Sequence, residues 1–499
     1  MAGKNLKLIM LLLLISNAVF AQDTASLNYQ NNGITLSDFR SQLDDIFNDP
    51  NFSSANWGVV IKSLETGEYL YKRNEDKLFM PASNTKLFTT AAGLLLLGKY
   101  YHFRTNVFIT GAIEGSTVQG NLVIQGLGDP TLGGRFYNND PYYVFNKWAD
   151  TLLKLGIDEI NGNIIGDDNA FDDLGLGSGW AWDNESSWFA APSGALSFND
   201  NCIDITIIPT RTDFPAQIQK FPDTKYVTVI NKVFTAYPNT IPDINVYRER
   251  GTNVVTVFGK IAENSDEKKT QATVNNPTQF SMVVLKEILE SKGIKVDGYA
   301  ADLDEEVSEL DYYKMKRLFT FYSPPLIDIV KVINKNSQNF YAEQLLKVIG
   351  YEKDGLGNTV NGVKEIKNLI KDIGINPENI IIADGSGLSR LNLVTPRQFV
   401  DLLSYIYKSE IFRLFYDSLP IAGVDGTLAR RMHNTKAENN IRAKTGYIEG
   451  VRSICGYAYT ADKEPIAFSI IVNNYIVPYA LADNLQDLVC LRLANFTRK

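Results

Sequence analysis

Pro81-Ala82-Ser83-Asn84-Thr85-Lys86 runs directly into Leu87-Phe88-Thr89-Thr90-Ala91-Ala92-Gly93-Leu94-Leu95-Leu96-Leu97-Gly98. This is Ser-x-x-Lys at the head of an apolar helix. The three-residue spacing puts Ser83 and Lys86 one turn apart on one helical face, while the Leu and Ala positions around them can be buried. Burial disfavours the ammonium form of a lysine, and a neutral amine is a base able to take a proton from a neighbouring hydroxyl. The unpaired amides of the helix start favour developing negative charge. Spacing alone does not decide the matter: Ser265-Asp266-Glu267-Lys268 has the same pattern but lies in the charged run Glu263 to Lys269 and reads as a solvated loop.

At the N-terminus, Lys4 and Lys7 precede the apolar run Leu8 to Ile15 and then Ser16-Asn17-Ala18-Val19-Phe20-Ala21. This predicts a secretory signal peptide over residues 1–21, cut after Ala21. Its apolar core is too short to span a bilayer, and no later run reaches the roughly 18 apolar residues of a membrane helix. A periplasmic or otherwise exported protein without a transmembrane anchor is expected. The 499-residue chain carries 49 Lys and Arg against 57 Asp and Glu, and loss of the two leader lysines leaves 47 against 57, or −10. Such an acidic balance argues against nucleic acid as a partner. The length predicts two or three domains.

Three scattered cysteines, Cys202, Cys455 and Cys490, allow at most one disulfide and indicate no metal site, and nothing in the chain indicates a cofactor. Only two histidines occur, His102 and His433, neither beside a serine or carboxylate motif. His-Glu-x-x-His and Gly-x-Ser-x-Gly are both missing from the sequence. A serine enzyme built from this chain has to work without histidine.

In chain order, the sequence predicts a helix opened by Thr35, a hairpin from Trp57–Ile61 and Tyr69–Tyr71, and then the Ser83 helix. From about Tyr101 the texture changes to short strands separated by Gly-rich turns, with helices over Val144–Leu155 and Pro277–Lys292. Asn199 to Ala262 reads as β throughout and is expected to be a smaller unit nested in the second. Gly126-Leu127-Gly128-Asp129-Pro130 does not read as a nucleotide loop, because Asp129 and Pro130 neither attract phosphate nor open a cradling helix. Beyond the acidic stretch 302–311, amphipathic helices flank the polar turn Asn334–Asn339. Thr395-Pro396 caps another helix, and Arg452–Thr460 and Pro465–Asn473 form a strand pair before a last helix. Helices on a mainly antiparallel sheet make an α+β class.

Two further motifs follow Ser83: Ser337-Gln338-Asn339 in the polar turn, and Lys444-Thr445-Gly446 at the head of a strand. Ser-x-Asn alone is poor evidence, since Ser197-Phe198-Asn199 also matches it, but Lys-Thr-Gly occurs once and the order is right. Ser-x-x-Lys, Ser-x-Asn and Lys-Thr-Gly in this order are the signature of penicillin-binding proteins and serine β-lactamases. From Ser83 to Ser337 is 254 residues and from Ser337 to Lys444 is 107, so a large insertion separates the first two motifs. The chain resembles the class C low-molecular-mass penicillin-binding proteins, the D-alanyl-D-alanine carboxypeptidase/endopeptidase family. Gly128-Asp129-Pro130, Asp384-Gly385-Ser386-Gly387-Leu388-Ser389-Arg390, Gly423-Val424-Asp425-Gly426-Thr427 and Lys444-Thr445-Gly446-Tyr447 also carry the resemblance.

The resemblance implies a transpeptidase-like α+β fold interrupted by two inserted, mainly β domains: a peptidase domain over 33–100 and 312–499, an inserted domain over 101–198 and 263–311, and a nested domain over 199–262. It implies Ser83 as nucleophile and Lys86 as its base, with Ser337 and Lys444 relaying the proton to the leaving amine. Asn339 would hold the acyl amide and Thr445 the substrate carboxylate. Gly446 and Tyr447 would form the wall whose Tyr447 N–H joins that of Ser83 around the oxyanion. Leu388 and Arg390 would bind substrate, Arg390 meeting the diaminopimelate carboxylate of the peptidoglycan stem opposite an acidic residue, Asp167 or Asp168, from the second domain. Peptidoglycan peptides and β-lactam antibiotics are the implied partners, and a homodimer is left open. A β-lactamase or esterase of the same superfamily is disfavoured by the 254-residue gap, and a non-catalytic cell-wall binding protein by the intact motifs.

Overall fold

The two strand pairs expected near opposite ends of the chain meet in one sheet. The computed structural model describes residues 35–306 and 310–498, so the predicted signal peptide lies outside the described residues. Strands β1 (Asn56–Ser63), β2 (Tyr69–Arg73), β3 (Arg442–Ile448), β4 (Val451–Tyr459) and β5 (Pro465–Asn473) form an antiparallel sheet in the order β3-β4-β5-β1-β2. Side-chain alternation along β1 sends Val59 and Ile61 to one face and Val60 to the other. Each face is covered.

Helix α1 (Leu36–Phe47) begins at a reciprocal cap between Thr35 and Asp38 and lays Phe39, Leu43 and Phe47 on the first face. The opposite face carries α2 (Lys86–Leu96), α3 (Leu326–Lys335), α4 (Asn339–Asp354), α5 (Thr359–Asp372), α6 (Pro396–Tyr407) and the short α7 (Phe412–Ser418). The C-terminal α8 (Tyr479–Asn495) returns to the α1 side. The α2 segment is enclosed by α3, α4, α5 and α6, and its residues Lys86 to Leu94 are buried. Pro396 at the first position and a Thr395–Gln398 cap fix the start of α6, as the sequence predicts. Helix α5 packs on α4 and buries only Gly362, Ile366 and Ile370.

Between β2 and α3, apart from the α2 segment, lies the inserted part. Its largest sheet has five strands in the order Ala300–Asp302, Ile164–Asp167, Leu122–Gly126, Arg104–Ile109 and Lys316–Tyr322. The helices Tyr143–Lys154 and Pro277–Ser291 contribute Val144, Phe145, Trp148, Phe280 and Leu285 to the insert's own core. Two three-stranded sheets, one of Gln217–Phe221, Cys202–Ile208 and Lys268–Thr273 and the other of Thr228–Ala236, Val254–Ala262 and Asp243–Arg248, form the rest with a small four-stranded one. Two pairings cross the boundaries expected from sequence. Lys316–Tyr322, placed after residue 311 in the peptidase part, pairs with Arg104–Ile109, so the insert's sheet closes only at Tyr322. Likewise Lys268–Thr273, beyond residue 262, pairs with Cys202–Ile208. Composition shifts mark where charged loops fall, whereas strand partnership is long-range and leaves no local trace.

Leu345 on α4 is fully buried in the cluster that packs around α2. Leu345→Ala is expected to lower unfolding stability by about 2–5 kcal/mol, read as a lower urea midpoint with unchanged slope.

Candidate active site

The nucleophile segment departs from a simple helix start. Ala82–Thr85 is a single 3-10 turn leading into α2, entered through Ala82 in the left-handed region at φ 47°. In such a turn residues three apart eclipse, which brings Lys86 Nζ to 3.1 Å from Ser83 Oγ. Lys86 also donates to Asn339 Oδ1 at 2.6 Å and to the Ser386 carbonyl at 2.6 Å. Its side chain is fully buried, and burial lowers its pKa from 10.5 to about 7 against the upward pull of Asp384 and Glu343. The geometry suits the neutral amine: its two N–H groups serve the amide and carbonyl oxygens, neither of which can donate, and its lone pair is left for the Ser83 hydroxyl.

Lys444 on β3 donates to Ser337 Oγ at 2.8 Å and to the Thr445 carbonyl at 2.7 Å. Burial, with the nearby Lys86 charge, holds its pKa well below 10.5. Ser337 lies in the left-handed region at φ 57°, just before α4. Gly446 lets β3 approach the nucleophile: a Cβ there would sit 2.2 Å from Ser453 Oγ and 3.0 Å from the Ser83 nitrogen.

Two buried carboxylates hold the loop that supplies the Ser386 carbonyl. Glu343 of α4 accepts from the Gly385 and Ser386 N–H groups at 3.0 and 2.7 Å. Burial, helped by the Asp384 charge, pushes its carboxyl upward. Asp384 accepts from the Gly387 and Ser389 N–H groups, from Asn392 Nδ2 and from Trp180 Nε1 at 2.9 Å. Gly387, at φ 80°, would put a Cβ 1.9 Å from the Ala82 carbonyl. The insert joins in at three points: Trp180 on Asp384, the Ser178 carbonyl on Ser389 Oγ at 2.6 Å, and the Phe189 carbonyl on Asn339 Nδ2 at 2.7 Å.

These elements enclose a cleft of about 510 Å³ whose walls include Ser83, Ser337, Asn339, Thr445, Tyr447 and Arg390. Arg390 is exposed and donates to the Glu449 carbonyl at 2.6 Å, Leu388 lines the cleft beside it, and Thr445 Oγ1 bonds Thr427 Oγ1 at 2.6 Å. Asp167 and Asp168 are not in that lining. Asp167 is buried and accepts from the Tyr312 hydroxyl and the Asn169 N–H. Asp168 accepts from Thr278 Oγ1 at 2.5 Å and faces a separate cavity with Asp302 and Asp304, its carboxyl raised by burial to about 7. Two acidic residues share the cleft lining with Arg390: Glu449, whose carbonyl it meets, and Asp183, from the aromatic segment of the insert. The Tyr312 and Thr278 hydroxyls tie the Asp167 and Asp168 carboxylates to the insert itself.

The description "D-Ala-D-Ala carboxypeptidase 3 (S13) family" matches residues 39–494. The chain belongs to this family. It is 31% identical over 475 residues to the D-alanyl-D-alanine carboxypeptidase of Actinomadura sp. (strain R39), covering 93% of this chain and 86% of that protein. It is 28% identical over 452 residues to D-alanyl-D-alanine carboxypeptidase DacB of Haemophilus influenzae, covering 89% of this chain and 88% of the relative. The crystal structure of penicillin binding protein 4 (dacB) from Haemophilus influenzae superposes with a TM-score of 0.79 at 26% identity, over 91% of this chain and 99% of that one. The same protein complexed with a novel β-lactam gives 0.74 at 25% identity, over 91% and 99%.

In this S13 serine peptidase, Ser83, Lys86, Ser337, Asn339, Lys444, Thr445, Gly446, Tyr447, Leu388 and Arg390 come together, although 361 positions separate Ser83 from Lys444. Asn339, expected to hold an acyl amide, has both ends of its own amide engaged, by Lys86 and by Phe189. Glu343, Trp180, Asp183 and Phe189 escape sequence reasoning, because a glutamate or aromatic inside an ordinary helix or loop announces no chemistry. The three cysteines are free and buried, and Cys455 accepts from Asn84 Nδ2 behind the nucleophile. His102 bonds the Ser323 carbonyl and His433 meets Glu438, and neither lines the cleft. Titration of the ¹³Cε resonance of Lys86 is expected to show a midpoint near pH 7, the amine neutral above it and charged below; a midpoint near the ordinary 10.5 would mean that water reaches the site.

Proposed function

We propose that the protein is a serine D-alanyl-D-alanine carboxypeptidase/endopeptidase acting on peptidoglycan stem peptides through an acyl-enzyme at Ser83, and that β-lactams block it by acylating the same hydroxyl. The observation that carries this is the wholly buried Lys86, its Nζ held by Asn339 Oδ1 and the Ser386 carbonyl at 3.1 Å from Ser83 Oγ.

Lys86 takes the Ser83 proton as Oγ attacks the carbonyl of the penultimate D-alanine. The N–H groups of Ser83 and Tyr447 receive the oxyanion, and the Ser337–Lys444 pair returns a proton to the departing amine of the terminal D-alanine. Water then hydrolyses the ester. Asn339 positions Lys86, and Thr445 with Thr427 faces the substrate carboxylate. A cross-linked dimer presents the same D,D bond, so carboxypeptidase and endopeptidase reactions share these steps. Glu343 is committed to two backbone N–H groups and does not line the cleft, so it is not placed to activate a deacylating water; this supports slow release of a bound drug over β-lactamase turnover. The leader-like residues 1–21, and the lack of any helix among the described residues long and apolar enough to cross a membrane, support an exported location.

Incubation with benzylpenicillin is expected to give a long-lived covalent mass increment that Ser83→Ala abolishes. Rapid drug turnover by the unsubstituted chain would favour the β-lactamase reading, and no adduct would favour the binding-protein reading.

Arg390 and Asp183, an exposed cation and an exposed carboxylate that line the same cleft, suit the carboxylate and ammonium of an amino acid side chain such as diaminopimelate. A charge-assisted pair of this kind contributes on the order of 1.5–3 kcal/mol. Arg390→Ala should therefore lower kcat/KM about ten- to hundredfold for peptides bearing the free diaminopimelate carboxylate, while penicillin acylation changes much less. Equal losses on both would mean that Arg390 shapes the catalytic centre itself.

A further inference from the structure

Trp188 lines two cavities at once. One is the cleft at Ser83, and the other, about 640 Å³, lies against the three-stranded sheet of Cys202–Ile208, Gln217–Phe221 and Lys268–Thr273. Alternation along the middle strand sends Ile203, Ile205 and Ile207 into the core at 0% exposure and turns Asp204 and Thr206 outward. Strand register places Gln271 and Phe221 beside Asp204, and Lys269 beside Thr206. Asp204 accepts from Gln271 Nε2 at 2.6 Å and from Asn199 Nδ2 at 3.1 Å, so the polar row is held in place before any ligand arrives. The indole of Trp188 is 43% exposed, while its neighbour Phe189 is tied through its carbonyl to Asn339.

The cavity therefore offers an exposed aromatic ring and a half-buried floor of hydroxyl, amide and carboxylate groups, with the exposed Lys269 ammonium, paired with Glu267, beside Thr206. Sugar rings present the complementary surfaces: C–H groups on the face that stack on an indole, and hydroxyl and acetamido groups at the edge that bond to such a floor. A nucleotide would ask for a basic wall, which this acidic chain does not provide here. Resting on the D,D-peptidase reading, we propose that this cavity is a saccharide subsite that seats the N-acetylated disaccharide to which the stem peptide is attached. The peptide would run from it across Trp188 into the cleft, so the enzyme recognises its substrate by glycan as well as by D-alanine.

The test uses the full exported chain and variants that lie outside the catalytic cleft, Gln271→Ala, which removes a donor from the floor, and Thr206→Tyr, which fills it. The kcat/KM for a disaccharide-pentapeptide should exceed that for the same free pentapeptide on the order of tenfold, the scale of a few added hydrogen bonds and one ring contact. Both variants should bring that ratio to within about twofold of unity, while free-pentapeptide hydrolysis and penicillin acylation stay unchanged. Independently of catalysis, saturation-transfer NMR on the Ser83→Ala chain should show transfer to the acetyl methyls of N-acetylglucosaminyl-N-acetylmuramic acid, lost on adding Gln271→Ala or Thr206→Tyr. Equal kcat/KM for the two substrates, or transfer that survives both substitutions, overturns the proposal. A preference for sugar-free cross-linked peptides that the variants abolish overturns it in favour of a second stem peptide. If the unsubstituted chain neither cleaves peptide nor binds penicillin, the D,D-peptidase reading fails, and the NMR result still decides whether this cavity takes the saccharide.

Discussion

Everything at this site depends on keeping one lysine dry. Lowering the Lys86 pKa from 10.5 to about 7 corresponds to roughly 5 kcal/mol of bias against its charged form. Two carboxylates, Asp384 and Glu343, oppose that bias, yet burial still dominates; each carboxylate is itself engaged by backbone N–H groups of the loop 384–390. The scaffold has to supply the difference. It does so by enclosing α2 among four other helices, so that opening the site to water would expose a large share of the main hydrophobic cluster.

The same constraint explains why the insert is part of the site and not an appendage. Asn339 must keep its oxygen on Lys86, and the Phe189 carbonyl fixes its amide nitrogen in the only orientation that does so. Trp180 and Ser178 anchor Asp384 and Ser389, and through them the carbonyl of Ser386. An element introduced between the first two motifs thus holds the base from the side opposite the sheet. It also lines the cleft with Asp183 and Trp188.

Much of this was legible in the sequence because it is local. The Ser83, Ser337 and Lys444 motifs, the Thr35 and Thr395 caps and the apolar runs of β4 and β5 each follow from short-range sequence. What escaped was long-range. The pairing of Lys316–Tyr322 with Arg104–Ile109, and of Lys268–Thr273 with Cys202–Ile208, depends on partners far away in sequence, so charge runs misplaced both boundaries. The resemblance points to Asp167 or Asp168 as the acidic residue from the second domain, but the Tyr312 and Thr278 hydroxyls engage them and neither lines the cleft, whereas the exposed Asp183 does. Glu343 could have been suspected only as an acidic residue on the buried face of an apolar helix.

The remaining question is how a nucleophile can face the substrate while its base three residues later stays dry. In a continuous α-helix the pair would share one environment, since both lie on one face. The 3-10 turn, entered through the left-handed Ala82, breaks that equivalence: among residues 81–90, Ser83 alone is not buried, and Lys86 is fully enclosed. Left-handed alanine costs on the order of 1–3 kcal/mol, so the conformation persists only because its surroundings leave no alternative. Gly387 and Gly446 are those surroundings, each allowing backbone to press on the Ala82–Ser83 segment where a side chain would collide. Glycine in the Asp-Gly-Ser-Gly loop and in Lys-Thr-Gly is therefore as necessary to the chemistry as the lysines, because it lets three distant segments close around one hydroxyl that stays open to the cleft.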